Sequence, residues 1–440
     1  KKTIFKSIKP SNKLSIVKEF KNEEKCNKII EEFKNKELSI DDPNYKKYKH
    51  CIEGINVKRL KENDNNGLYP HLDDEDFNRK IYLKKEFNET KYDNINPEVD
   101  FENIEEKVDK MCKRDEFQLS PHQMFVRNFL SFQTPYNSLL IYHGLGTGKT
   151  CSSITIAEEM RDYLKQVNIK KKIIVVASPV VQENYKIQLF DERKLKNIGG
   201  IWDLKSCVGN SLLREINPIN SSVSRINVIS KIRKIIRNWY IFMGYTEFSN
   251  YITKLSNKFK INDEESKVER RRKQLLIKKE FSERLIIIDE VQNIRSIKKM
   301  KKSSNNFLEL VKYADNLKLI LLTATPMYND PQEIIWLLNL MNINDNRVPI
   351  SIRDVFNDEG NLLVGNNGEQ IGKEILERKM RGYISYVRGE NPFTFPNAIY
   401  PADYDDPNSL KYMLTTDWTY PSFQINDTEI TQPIKHLDLF

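Results

Sequence analysis

The sequence predicts an α/β domain built on a central, mainly parallel sheet, with a helical N-terminal segment and helical insertions. Three observations carry that prediction. Short runs of apolar, often β-branched residues recur between positions 138 and 323, and unbroken runs of that length fit strands buried on both faces of a parallel sheet. Helical patterns lie between the runs, the alternation expected of an α/β arrangement. A glycine-rich turn, Gly144-Leu145-Gly146-Thr147-Gly148, closes the earliest run and opens a helix near Lys149.

Residues 1–118 are dense in charge but nearly balanced in sign. Apolar spacing around Ile29, Ile30 and Phe33 predicts short helices, and Tyr69-Pro70 and Asn94-Ile95-Asn96-Pro97 are turn signals. This segment shows no catalytic pattern and reads as accessory and mainly helical. The main lobe is expected over residues 119–340. Its strands are predicted at Ser138–Tyr142, Lys172–Ala177, Trp239–Met243, Leu285–Ile288 and Lys318–Thr323. Two stretches interrupt it. Residues 202–237 read as added loop and helix, with Ile229, Ile232, Ile235 and Ile236 on one face. Residues 252–284 read as a charged helical insertion, in which Arg270-Arg271-Arg272-Lys273 is a solvated face rather than a nucleic-acid contact. Prolines at 392, 396, 401, 407 and 421 break up the last part of the chain, and residues 401–440 lean acidic. Residues 341–440 are therefore expected to form a linker or small extension, with no new parallel sheet.

Composition narrows the class. With 39% hydrophobic and 30% charged residues over 440 positions, the chain suits a folded, solvent-facing protein rather than a disordered one. No stretch nears the ~18 apolar residues of a membrane span, so no membrane partner is expected. The opening Lys1-Lys2-Thr3 lacks both the apolar core of a secretion signal and a methionine, as an excised or processed piece would. Cys26, Cys51, Cys112, Cys151 and Cys207 are scattered without C-x-x-C spacing, which predicts reduced thiols in an intracellular protein and no zinc site. The net charge of +9 attracts polyanions, nucleic acid among them.

The chemistry concentrates at the ends of the predicted strands. In the turn from Gly144 through Gly146, Thr147 and Gly148, glycines let backbone N–H groups curl around an anion. The helix N-terminus adds partial positive charge. Lys149 is then placed for the β- and γ-phosphates of ATP, and the Thr150 hydroxyl for Mg²⁺. His143 occupies the position where a stricter form of this loop has glycine. Leu285-Ile286-Ile287-Ile288 ends in Asp289 and Glu290. A parallel sheet gathers such strand ends on one edge, so Asp289 is assigned to Mg²⁺ and Glu290 to polarising the attacking water. Thr323 and Thr325 end a further strand and are candidates for relaying the γ-phosphate state. Gln123, whose amide both donates and accepts, suits an adenine edge. Ser178 and Pro179 open a helix with small polar groups that suit a sugar–phosphate backbone. Taken singly, the last three are also ordinary surface, strand-exit and helix-cap residues.

Taken together and in this order, the five elements resemble the motifs of superfamily 2 helicases and translocases: an adenine-reading glutamine, then motifs I, Ia, II and III. Asp289-Glu290-Val291-Gln292 resembles a DEAH-type motif II, with Val291 and Gln292 where alanine and histidine are usual. That departure leaves the metal and base roles in place and falls on the coupling position. The match looks nearest to helicases of large cytoplasmic DNA viruses, a group that includes the poxvirus early transcription factor small subunit and nucleoside triphosphatase I. Weaker support comes from Tyr69-Pro70-His71-Leu72, Lys84-Lys85-Glu86-Phe87, Gly244-Tyr245-Thr246-Glu247-Phe248 and Gly382-Tyr383-Ile384-Ser385-Tyr386-Val387-Arg388-Gly389. The resemblance implies a RecA-like P-loop NTPase lobe, ATP and Mg²⁺ as cofactors, and DNA or RNA as partner. It further implies viral RNA polymerase or transcription-factor subunits as possible companions, and a cytoplasmic site of action, in a viral factory or virion. It also implies a second lobe with a Gln-x-x-Gly-Arg-x-x-Arg motif. That motif is not found in this sequence, so the expectation is an ATP-binding half that hydrolyses poorly by itself. The leading reading is an ATP-dependent nucleic-acid helicase or translocase serving viral transcription. A nucleotide-gated binding subunit of a transcription complex, without unwinding activity, is the alternative from another class. A P-loop kinase is disfavoured by Gln123 and the Thr-Ala-Thr strand end.

Overall fold

The computed structural model describes residues 68–91, 118–144, 146–217, 223–257, 267–296, 301–327, 330–365 and 367–387, together with Cys51, Phe423, Thr428 and Glu429. Helices α1 (Phe77–Tyr82), α2 (Lys85–Asn88) and α3 (Pro121–Phe129) come first. Ser120 and Gln123 cap the head of α3 reciprocally, and Pro121 sits at the start, where a missing N–H is harmless. Strand β1 (Ser138–His143) runs through the glycine turn into α4 (Lys149–Gln166), and β2 (Ile173–Val176) into α5 (Pro179–Leu189). A hairpin of β3 (Leu195–Ile198) and β4 (Ile201–Leu204) follows, then α6 (Ser211–Ile216), α7 (Arg225–Trp239) and β5 (Tyr240–Met243). The chain continues through α8 (Tyr245–Asn257), α9 (Lys267–Phe281), β6 (Leu285–Ile288), α10 (Asn293–Ser296), α11 (Lys301–Tyr313) and β7 (Lys318–Thr323). Helices α12 (Ile334–Asn344), α13 (Ile352–Val355) and α14 (Ile371–Met380) lead to β8 (Ile384–Val387).

Six strands form one sheet in the order β5-β2-β6-β7-β1-β8, and each neighbouring pair is parallel. Strands β2, β6 and β7 are buried along their whole length, as their unbroken apolar runs require. The α/β class and all five predicted strands are present, with bounds shifted by a residue or two. Trp239 finishes α7, Lys172 and Ala177 flank β2, and His143 extends β1. No helix among the described residues is long and apolar enough to cross a membrane.

Four expectations need correction. The stretch after residue 340 supplies a strand to the same sheet: β8 pairs with β1, Leu140 opposite Ile384 and His143 opposite Val387. Its four residues are too short, and too often interrupted by polar ones, to stand out as a buried run. The segment 68–91 forms the expected helices, but they belong to the main core. Leu72, Phe77, Ile81 and Phe87 are buried with Phe129, Tyr136 and Tyr383. The Tyr136 hydroxyl donates to the Pro70 carbonyl at 2.8 Å, and Arg347 pairs with Asp73 at 2.6 Å. Gly382 (φ 76) makes this possible, since a Cβ there would lie 2.4 Å from a Leu72 methyl. The 202–237 insertion begins earlier, with the β3–β4 hairpin. This module has its own small core, in which Val228 and Ile232 are buried and Ile229, Ile235 and Ile236 pack partly buried. Finally, Cys151 and Cys207 are joined as a disulfide, not held as separate thiols. The bond ties α4 to the loop before α6. A second tie lies further along α4, where the buried Arg161 reaches Glu158 at 3.0 Å and Glu215 at 2.8 Å.

The basic run in α9 is partly engaged: Lys273 donates to Glu309 at 2.7 Å, while Arg271 and Arg272 are exposed. The chain divides into two compact units, residues 1–389 and 390–440. In the second, the described residues show an antiparallel bridge between Phe423 and Glu429. Helical spacing near Ile29, the turn at Asn94–Pro97 and the prolines beyond 390 lie outside the described residues.

Replacing Gly382 with alanine imposes a left-handed backbone on an L-residue, at about 1–2 kcal/mol, and forces apart the Leu72–Phe77 contact as well. Gly382→Ala is expected to lower the urea-unfolding free energy by about 2 kcal/mol or more. An unchanged midpoint would contradict this close packing.

Candidate functional site

Parallel pairing brings the carboxyl ends of β5, β2, β6, β7, β1 and β8 to one edge, and the ladder continues past the strand ends. Ala177 N–H donates to Met243 O at 3.0 Å, Asp289 N–H to Val176 O at 2.9 Å, Val291 N–H to Leu322 O at 3.1 Å and Gly144 N–H to Val387 O at 3.0 Å. The candidate residues that follow β1, β2, β6 and β7 are therefore fixed along one edge, while Gln123 comes to it from helix α3.

The glycine loop has the form an anion cradle needs. Gly146 (φ 75) and Gly148 (φ 79) are left-handed, which turns successive N–H groups inward. A Cβ at Gly148 would lie 2.5 Å from the Gln123 amide nitrogen. Lys149 folds back over its own loop, donating to His143 O at 2.9 Å and Gly144 O at 3.3 Å. Burial holds its ammonium below the usual lysine range, although Glu290 and Asp289 favour the charged form. Thr147 and Thr150 are half-buried at the loop and at the head of α4.

Across from Lys149 stand the two acids. Asp289 is 6% exposed, and its carboxylate accepts from the Glu290 N–H at 2.9 Å. Burial and the charge of Glu290 push its carboxyl up to about 6, offset in part by Lys149. Glu290 adopts a left-handed backbone (φ 47), a conformation that costs a non-glycine residue about 1–3 kcal/mol and persists only where its neighbours hold it. Gln292 is one of those neighbours. Its amide nitrogen donates to the Glu290 carboxylate at 2.7 Å, while its amide oxygen accepts from the Thr323 hydroxyl at 2.7 Å. The Thr325 N–H closes the chain by donating to the Thr323 hydroxyl at 2.9 Å. Gln292 thus bridges the end of β6 to the end of β7 at the position where the sequence departs from the DEAH-type pattern. An amide, with a donor and an acceptor on one carbon, spans both partners without a charge.

Gln123 is placed differently from a free adenine reader. It is 6% exposed. Its oxygen accepts from the Ser120 N–H at 3.0 Å and its nitrogen donates to the Gly148 carbonyl at 3.3 Å, so it braces the phosphate loop. Ser178 heads α5, and its side chain makes no capping bond. Pro179 and Val180 beside it are exposed.

Sequence reasoning missed a histidine pair. His143 is fully buried, bonded through Nε2 to the Ser385 hydroxyl at 2.8 Å. It lies edge-on to His122, with ring centroids 5.3 Å apart. His122 Nε2 contacts the Thr147 carbonyl at 3.0 Å. Burial, with help from His122 and Lys149, pushes the His143 imidazole down to about 3, so it is neutral and acts as a strut between the loop and β8. The signal was present as the departure at the first glycine position, but nothing in the sequence paired it with Ser385.

A family model described as the SNF2-related domain matches residues 122–361, which is 240 of the 440 positions. This chain belongs to the SNF2-related domain family. Its relatives include a protein of Acanthamoeba polyphaga mimivirus provisionally named an ATP-dependent RNA helicase, 23% identical over 76% of this chain and 28% of its own length. A provisionally named helicase of Frog virus 3 is 25% identical over 62% of this chain and 24% of its own. An early transcription factor large subunit homologue of African swine fever virus is 22% identical over 64% and 28%. A solved structure titled as the Sulfolobus solfataricus SWI2/SNF2 ATPase core in complex with dsDNA aligns at TM-score 0.32 and 16% identity, over 62% of this chain and 45% of that one. The chain spans about a quarter of the length of these three viral relatives. The SNF2-related domain match covers the phosphate loop, the acids and Thr323, and stops short of α1, α2 and β8, which share the same core.

Two outcomes are expected. Burial and the charge of Glu290 push the Asp289 carboxyl up to about 6, so if its carboxylate holds the cation, as expected from the sequence, affinity for Mg²⁺–nucleotide should fall about tenfold per pH unit below 6. Titration with a fluorescent ATP analogue at stepped pH measures this, and Asp289→Asn should abolish the dependence. Gln292→Ala should leave that affinity within about threefold, yet release the Glu290 turn. Amide hydrogen exchange across residues 289–292 should then rise by about tenfold or more.

Proposed function

We propose that this chain is the ATP-binding lobe of a nucleic-acid helicase or translocase of superfamily 2. The observation that carries the reading is the Lys149–Asp289–Glu290 cluster facing a glycine cradle, wired through Gln292 to Thr323. In this reading, the backbone N–H groups of the loop and Lys149 hold the ATP phosphates, and Thr150 and Asp289 hold Mg²⁺. Held there, Mg²⁺ would supply neutralisation of the phosphate charge. Glu290 takes the proton of the attacking water, and the Gln292–Thr323 link passes the change at Glu290 to the next strand end. Gln123 braces the cradle and contributes to the adenine side. Ser178, Pro179 and Thr325 lie on the same edge and contact the nucleic-acid backbone. The early transcription factor name of one relative supports a role in viral transcription, and the resemblance drawn from the motifs adds viral polymerase or transcription-factor subunits as companions. The Cys151–Cys207 disulfide favours a virus particle over the reducing cytosol as the place where the mature form resides.

Glu290→Gln tests the reading. It should retain Mg²⁺–ATP binding within about threefold and lower hydrolysis by about 10²-fold or more. Lys149→Ala should abolish detectable nucleotide binding. Nucleic-acid binding should weaken steeply with salt, since phosphate contacts dominate it. A Glu290→Gln chain that still hydrolyses at the parent rate would refute the assignment of the base. A chain whose nucleic-acid affinity responds to ATP while neither strand separation nor movement occurs would favour a nucleotide-gated binding subunit.

A further inference from the structure

The module between α5 and β5 has no part in the chemistry above, yet its surface carries most of the chain's excess charge. Residues 191–239 hold ten basic and four acidic residues, +6 of the chain's +9. All ten basic side chains are exposed. Each of the four acids is already engaged at short range. Asp191 accepts from Arg193 at 2.9 Å, and Glu192 pairs with Arg233 at 2.6 Å. Glu215 turns inward to Arg161 and Lys165, at 2.8 Å from each. Asp203 accepts from the Asn210 amide at 2.8 Å. A merely solvated helical face alternates its signs, and this surface does not.

Helix α7 concentrates the effect, since its 15 residues include no acid. Val228 and Ile232 point inward and are fully buried in the module's own core. Lys231, Lys234 and Arg237, spaced three apart, share the exposed face. Among the described residues, none of the three has a carboxylate within ion-pair distance. The apolar face of α7 is occupied, so the helix has nothing to sink into a lipid surface. Single-stranded bases need exposed rings on which to stack. The module's two aromatic residues, Trp202 and Trp239, are half-buried, and the Trp202 ring N–H donates to Val223 O at 2.8 Å. What remains is a row of cations on a fixed support, which suits a phosphodiester backbone. The Cys151–Cys207 bond and the Arg161–Glu215 pair fasten that support to α4. Phe190, directly after α5, is buried in the module's core. The 11 residues of α5 span about 16 Å, so the module begins about half a duplex turn from Ser178.

We infer that the exposed face of α7 is a second nucleic-acid contact, which grips the phosphate backbone of a duplex away from the strand-end edge. This rests on the function proposed above and adds to it the form of nucleic acid and the face that holds it. The contact reads no base sequence, because lysine and arginine meet phosphates that every sequence shares. Each cation seated on a phosphate releases condensed counterions. The contact is therefore visible in the salt dependence of binding, separately from anything that happens at Lys149 or Asp289.

The test compares the 440-residue chain with a variant carrying Lys231→Gln, Lys234→Gln and Arg237→Gln. A matched control carries Arg271→Gln, Lys279→Gln and Lys373→Gln, which removes the same charge from exposed positions on α9 and α14. Binding of labelled DNA and RNA duplexes, and of single strands, is titrated across a salt series. The α7 variant should bind duplex about tenfold or more weakly at low salt, with a log–log salt slope shallower by about three. The control should keep the parent's slope to within about one. Melting temperature and affinity for a fluorescent ATP analogue with Mg²⁺ should match the parent in both. If the triple variant melts early, the three single substitutions are read instead, each shallower by about one. A parent slope in the α7 variant overturns the contact and leaves the proposed function standing. An equal loss in the control overturns it too, as does a larger loss for single strands than for duplexes. Vesicles of phosphatidylserine and phosphatidylcholine that hold the parent but not the α7 variant, with duplex affinity unchanged, assign the face to lipid and overturn it. A parent chain that binds no nucleic acid at all overturns both this contact and the proposed function.

Discussion

The structure depends on strand direction. Six strands pair in parallel, so each delivers its carboxyl end to the same edge. A single antiparallel strand in the middle of the sheet would send its loop to the opposite face. The glycine loop after β1, the acids after β6 and the threonines after β7 are separated by long stretches of sequence, yet register places them side by side. Ile288 lies opposite Leu321 and Tyr142 opposite Thr323. The short bonds at the site are downstream of that register, because Gln292 spans Glu290 and Thr323 only if β6 and β7 end level. The apolar residues that bury β2, β6 and β7 therefore set the distances between polar groups they never touch.

Burial and charge oppose one another at the site. Enclosing Lys149 disfavours its ammonium and enclosing Asp289 disfavours its carboxylate, while each favours the ionised form of the other. Such mutual perturbation of ionisable groups is common at functional sites. The links around them are neutral: a glutamine amide, threonine and serine hydroxyls and an uncharged imidazole. Neutral links carry position without adding to the field the phosphates would meet.

How much of this was legible in the sequence differs by element. The buried strands announced themselves, because both faces are covered and every residue in the run is apolar. Strand β8 did not, since an edge strand with residues such as Ser385 and Tyr386 half in solvent follows no unbroken pattern. The phosphate loop and Asp289–Glu290 were legible because their chemistry is local, a few residues joining a strand to a helix. Gln292 was visible as a departure from a pattern. Its bridging role depends on Thr323, which only the fold brings near. His143 with Ser385, and Arg347 with Asp73, pair residues more than two hundred positions apart, and no periodicity encodes such pairs. The disulfide was hidden for the same reason, as Cys151 and Cys207 are 56 positions apart.

Strand β8 has a mechanical consequence. It is bound to β1 along its length, from the Leu140–Tyr383 bond at 2.7 Å to the Gly144–Val387 bond at 3.0 Å. Its last residue therefore sits level with the phosphate loop. Tension along the axis of β8 loads these bonds in shear and all at once, instead of peeling them one after another. A zipper opens easily and a shear joint does not. Strand β8 is thus a stiff element anchored beside the loop, and a pull along its axis would reach Gly144 with little slack.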